Sequence, residues 1–136
     1  MLSPKEIVDT MIAKDFFSQW LGIEVLEANE GGSKLKMTIR EDMLNGFGIA
    51  HGGITYSFAD SALAFASNSH GQKSVSVETS ISHAISLKAS DTIIAEAKEE
   101  HCSNKIGIYS VKVYKEVDQS VVALFKGTVY RTSKVW

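Results

Sequence analysis

Cysteine is almost absent from this chain of 136 residues. Cys102 stands alone, so no internal disulfide can form, and a reducing cytoplasm is the expected setting. Long apolar runs are missing too: Lys5, Glu6, Asp9, Lys14 and Asp15 interrupt the N-terminal segment, and no later stretch approaches the roughly 20 residues of a membrane span. Neither a membrane partner nor a targeting segment is expected. Positive charge is scarce as well, with 14 Lys and Arg against 16 Asp and Glu and a net charge of -2, and no basic run is long enough to track a phosphate backbone. That argues against nucleic acid. His70, His83 and His101 lack metal-ligand spacing and Cys102 has no second thiolate, so no metal is expected and Cys102 reads as packed in a strand. There is no G-x-S-x-G elbow for a serine hydrolase. Gly46-Phe-Gly-Ile-Ala-His51 lacks the last glycine of a dinucleotide loop.

With 44% hydrophobic and 22% charged residues, the chain has apolar material for one globular domain spanning residues 1–136. Ser3-Pro4-Lys5-Glu6 is a capping-box start. Ile7, Val8, Met11, Ile12 and Phe16 continue it at helical spacing, which predicts a single helix ending near Trp20-Leu21-Gly22. Two strands, 23–28 and 33–40, flank a turn at Glu30-Gly31-Gly32, and Leu35, Met37 and Ile39 alternate with Lys34, Lys36, Thr38 and Arg40. A glycine-rich loop follows, then a helix over 54–68 with few long polar groups, which should be buried. Four more strands are expected at 74–87, 92–102, 107–117 and 121–131. The order predicts an α+β domain whose antiparallel, curved sheet wraps a long central helix, with an additional N-terminal helix.

Asp60 is the residue that most needs explaining, because it is a lone acid inside Phe58-Ala-Asp-Ser-Ala-Leu-Ala-Phe-Ala-Ser67. A carboxylate there is costly to bury unless it is paired or used. It can be a structural acid satisfied by hydroxyls and backbone, or it can be the reactive group. Upstream, His51-Gly52-Gly53 opens the helix, and unpaired N–H groups at a helix start can hold a developing oxyanion. Gly52 and Gly53 would let a carbonyl approach closely, or simply make the loop-to-helix turn. His51 can be read as a general base, or as a hydrogen-bonding residue that fixes the loop. Asn45 before Gly46 can be a plain turn residue or a polar partner of the reaction. Eight residues of helix separate Gly52 from Asp60, about 12 Å, too far for both to act on one carbonyl within one chain. A two-fold dimer with antiparallel central helices would bring one chain's Gly52 to the other's Asp60. Ala62, Ala64 and Ala66 leave room on this helix, and Phe58 and Phe65 are candidates to line an apolar cleft, although core packing is the more common use of such residues.

Met43-Leu44-Asn45-Gly46, His51-Gly52-Gly53, Phe58-Ala59-Asp60 and Val122-Ala-Leu-Phe-Lys-Gly127 together resemble the PaaI-type hotdog thioesterases of phenylacetic acid degradation, in order and spacing along nearly the whole chain. The resemblance implies the hotdog fold and hydrolysis of acyl-coenzyme A thioesters, with aryl-acyl groups such as phenylacetyl or hydroxyphenylacetyl. It makes Asp60 the nucleophile or general base, Gly52 the oxyanion donor, Asn45 the polar partner and Ser76 a group that assists water. Lys88 and Lys105 become rim candidates for the phosphates of coenzyme A, which is part of the substrate, so no separate cofactor is implied. The active unit would be a homodimer, pairing further into a homotetramer. The turn Ser86-Leu-Lys-Ala-Ser-Asp91 departs from the pattern: it has no proline, and Ser90 stands where glycine is usual. The alternatives are a non-catalytic acyl-CoA-binding domain and a medium-chain thioesterase. A hydratase-type relative would carry a histidine a turn after the acid, where this chain has Ala64 or Phe65.

Overall fold

In a computed structural model describing residues 1–136, the elements run α1 (Pro4–Lys14), α2 (Phe16–Leu21), β1 (Glu24–Asn29), β2 (Gly32–Thr38), α3 (Gly52–Asn68), β3 (Gln72–His83), β4 (Thr92–Cys102), β5 (Ile106–Lys115) and β6 (Val121–Val135). All six strands form one antiparallel sheet in the order β1-β2-β4-β5-β6-β3. Helix α3 packs against β2, β4, β5 and β6. This is the hotdog architecture.

The N-terminal helix differs from expectation by one break. Ser3 and Glu6 close the capping box, but at Asp15 the backbone leaves the helix (φ -95°, ψ 79°). Its carboxylate accepts from Ser18 N at 3.0 Å and Ser18 Oγ at 2.6 Å, so Asp15 ends α1 and caps α2. A side chain that can satisfy the orphan N–H groups of a new helix start outweighs continued apolar spacing. The loop after β2 holds a short 3-10 turn at Glu41–Met43. Strand β3 stops at His83, short of the expected 87, and β6 runs on to Val135.

Strand β2 shows the alternation read from its sequence: Ser33, Leu35 and Met37 are buried under α3, and the lysines between them point outward. Phe58, Ala59, Ala62, Phe65 and Ala66 of α3 are all fully buried, and each phenylalanine gains about 2–3 kcal/mol from leaving water. The sheet accommodates α3 closely at Gly127. A Cβ there would lie 2.5 Å from Leu63 Cδ2, so β6 needs glycine where the helix presses on it. Ser33 Oγ also donates to Ala62 O at 2.8 Å, tying β2 to the same turn of helix.

Candidate active site

Helix α3 begins at the predicted glycines. His51 is its N-cap, and the imidazole Nδ1 accepts from Gly53 N at 3.0 Å, which leaves the ring proton of the neutral form on Nε2. His51 O accepts from Ile54 N at 2.9 Å. Of the first three N–H groups of the helix, Gly52 N–H alone has no acceptor in the chain, which leaves one free backbone donor at the positive end of a 17-residue helix.

A cavity of about 270 Å³ opens in front of that N–H, lined by residues including Asn45, Gly52, Thr55 and His83. Asn45 Oδ1 accepts from Phe47 N at 2.9 Å and from Ile49 N at 3.4 Å, and the loop is closed further by Asn45 N to Ile49 O at 2.8 Å. Its carbonyl end is therefore committed to the turn, and its amide nitrogen makes no bond within the chain. Asn45 serves the loop and still has a donor to offer.

Asp60 opens into a different cavity, of about 430 Å³. Asp60, Leu63, Ala64, Ser67 and Asn68 line it, the i, i+3, i+4, i+7, i+8 stripe of one helix face. Ser76, Val129, Met11 and Trp136 contribute from β3, β6, α1 and the segment after β6. Asn68 anchors this wall: its amide donates to Ala64 O and Ser74 O, and its carbonyl accepts from Ser74 N and Trp136 Nε1. Phe58 and Phe65 are not part of it: of their two readings, cleft lining and core packing, the structure shows core packing. They lie on the opposite face, wholly in the core.

The half-buried Asp60 carboxylate accepts no hydrogen bond from any group of the chain. Burial pushes its pKa above the usual carboxylate range, and the negative charge of Asp15 adds to the shift. Both effects raise its basicity. Within the chain it has none of the hydroxyl or backbone partners that a structural acid would use. Sequence reading missed how Asp15 is held: Ser18 Oγ, which donates to Asp15, is 2.8 Å from Ser61 Oγ, so a buried chain of hydroxyls links the α2 cap to the residue after Asp60. The Asp15-Phe-Phe-Ser18 spacing carried no signal of that long-range contact.

The remaining candidates scatter. Lys88 follows the wall residue Leu87 but lines neither cavity, and Lys105 sits in the β4–β5 turn with Nζ 5.8 Å from the Tyr130 ring centre. His70, Glu99 and Cys102 do converge, but around a buried phenol: Glu99 Oε1 accepts from His70 Nε2 at 2.6 Å and from Tyr109 OH at 2.8 Å. Burial pushes the Glu99 carboxyl upward, yet these bonds outweigh it and hold the pKa below its ordinary value. The cluster is accounted for as the acceptor network of Tyr109.

A hotdog sheet, a free N–H at the start of its central helix and an unpaired acid two turns on are the features of a thioester hydrolase. The Thioesterase superfamily profile matches residues 47–122. The chain belongs to that superfamily, as a thioesterase of the PaaI type. It is 37% identical over 130 residues to a putative esterase of Archaeoglobus fulgidus, covering 96% of this chain and 84% of that one. It is 35% identical over 121 residues to the acyl-coenzyme A thioesterase PaaI of Escherichia coli, covering 89% and 86%. The solved structure of the E. coli PaaI protein from the phenylacetic acid degradation operon superposes with a TM-score of 0.94 at 32% identity, over 97% of this chain and 95% of that one.

Proposed function

We propose that this thioesterase hydrolyses acyl-CoA esters to the free acid and coenzyme A, with compact aryl-acyl groups such as phenylacetyl or hydroxyphenylacetyl as its substrates, and that its active unit is a homodimer. The observation that carries the reading is the division of the site. The unpaired Asp60 and the unpaired Gly52 N–H open into separate cavities of one chain, about 12 Å apart along α3. A second copy, related by a two-fold axis, would set its Gly52 against the first copy's Asp60 and build two equivalent sites.

The edge strand supports this arrangement. β3 is 12 residues long, has no neighbour on its outer side, and exposes Val75 and Val77, an edge that a lone soluble chain would be expected to blunt. In the composite site, Gly52 N–H and the Asn45 amide would polarise the thioester carbonyl. Asp60 would attack it or take a proton from the attacking water, with Ser76 beside that water. The C–S bond breaks as the tetrahedral intermediate collapses, and the sulfur leaves as thiolate and takes the proton that came from the water. Where Asp60 attacks directly, water then hydrolyses the acyl-Asp60 anhydride to the free acid and supplies that proton. Met11, Leu63, Val129 and Trp136 give the Asp60 cavity the apolar walls an acyl group needs, and the flat Trp136 ring favours an aryl one. The name of the E. coli relative points the same way.

Thiol release from a panel of acyl-CoA esters tests the reaction, and kcat/KM for phenylacetyl-CoA against octanoyl-CoA tests the acyl group. A clear preference for octanoyl-CoA would replace the aryl reading by a medium-chain one. The dimer is tested by mixing two inactive chains, Asp60→Ala and Gly52→Val. One hybrid site then carries both intact elements and activity returns, whereas fully exchanged but inactive heterodimers would mean that each site is built within one chain.

A further inference from the structure

We propose that His83 is a catalytic residue of this site, donating a hydrogen bond from its ring nitrogen Nε2 to the thioester carbonyl oxygen beside Gly52 N–H. The inference rests on the thioesterase reading and deepens it.

His83 ends β3, in register with Ala123 of β6, and its side chain turns into the cavity shared with Asn45 and Gly52. Its position is close to the helix start: a Cβ built on Gly52 would lie 3.3 Å from Nε2 and 3.6 Å from Cε1. At 3.3 Å a side chain at residue 52 would crowd the imidazole, so glycine both exposes the N–H and admits the ring.

The imidazole makes no hydrogen bond or ion pair within the chain. An exposed, unpartnered ring beside an unpartnered backbone donor is a pair of donors converging on one small volume. The helix start supplies only one N–H of its own, since Gly53 N is held by His51 Nδ1 and Ile54 N by His51 O. Oxyanion holes work through several preorganised donors, each aimed where charge develops. Nε2 of His83 supplies one more, and it donates both as the Nε2–H tautomer and as imidazolium. His51 is not equivalent, because its Nδ1 is committed to the cap.

The role separates His83 from a binding residue, because an oxyanion contact strengthens as the tetrahedral centre forms and is felt in kcat rather than KM. The experiment measures kcat and KM for phenylacetyl-CoA hydrolysis with wild type, His83→Ala, His83→Gln and Asp60→Asn. Because His83 is exposed at a strand end, melting temperatures of the His83 variants should match wild type. His83→Ala should lower kcat about a hundredfold with KM nearly unchanged, and His83→Gln, whose amide N–H reaches a similar point, should recover much of the loss. A kcat within twofold of wild type in His83→Ala overturns the inference, as does a loss confined to KM or a Gln variant no better than Ala. In any of those cases an inactive Asp60→Asn beside an active wild type leaves the thioesterase reading standing. A wild type that releases no thiol from any ester of the panel removes both.

Discussion

Replacing Asp60 by Asn should cost activity and add stability at the same time, and the two effects have one cause. The carboxylate is half-buried, accepts no hydrogen bond, and lies in the field of Asp15. Folding therefore holds the charge where it is less favourable than in water. Asn keeps the shape without the charge. Water still reaches the cavity and screens part of the penalty, so the gain belongs at the modest end of stabilising substitutions, about 1 kcal/mol. Unfolding entropy near the melting point is roughly 2.1 cal/mol/K per residue, and for a chain of this length 1 kcal/mol corresponds to an increase of about 3–4 °C in Tm. The pH dependence follows from the direction of the shift. The folded-state pKa is raised, so the penalty is fully present above that pKa, shrinks as pH falls through it, and vanishes below the unfolded value near 4. Melting curves of the two proteins at neutral pH should thus differ, and should converge toward acid. Thiol-release assays on the same samples should show kcat lower by about a hundredfold or more, since the amide is neither nucleophile nor base. A variant that melts below wild type at neutral pH would refute the idea that Asp60 is held at a cost. Near-wild-type turnover would refute its role.

Asp15→Asn keeps a capping side chain but removes the like charge near Asp60, so the acidic limb of kcat/KM should move to lower pH, and an unmoved limb in the pH-rate profile counts against that coupling. Gly127→Ala places a methyl group 2.5 Å from Leu63 Cδ2 in a full core and should cost about 1–3 kcal/mol in denaturant unfolding; adding Leu63→Ala should cost less than the two separate losses predict. Ser90 has φ +79°, so Ser90→Gly relieves left-handed strain and should raise stability by about 0.5–1 kcal/mol, measured as a higher denaturant midpoint at unchanged slope.

Ser90 also shows how far the sequence could be read. Its departure from the usual glycine was visible in the chain, but the positive φ that gives the departure an energy was not. The wet-faced hairpin, the buried helix, the glycine-led helix start and the isolated acid were legible because each rests on local patterning or on a residue type that is costly in its place. The break at Asp15 was not, since apolar spacing ran straight through it and the cap depends on where Ser18 points. Phe58 and Phe65 could be read as cleft or as core, because in a helix this apolar, periodicity cannot tell the face against the sheet from the face beside a cavity. His83 was set aside for lack of metal-ligand spacing. Its place at Gly52 follows from β3 being the edge strand next to β6, a long-range relation with no counterpart in local sequence.

The raised pKa of Asp60 has its origin in how low α3 sits on the sheet. Ala59, Ala62 and Ala66 present only methyl groups to the strands, and Gly127 admits Leu63, so the helix backbone approaches the sheet closely. Asp60 follows Ala59 directly and shares its cavity stripe with Leu63, which puts its carboxylate at the boundary between core and cavity. There it is desolvated enough for its pKa to rise and open enough to be reached. Larger residues on the core face would lift the helix, let water surround the acid and lower its basicity. The small residues that first mark α3 as a buried helix thus also raise the pKa of its one acid, and core packing and the proton affinity of Asp60 are set by the same choice of side chains.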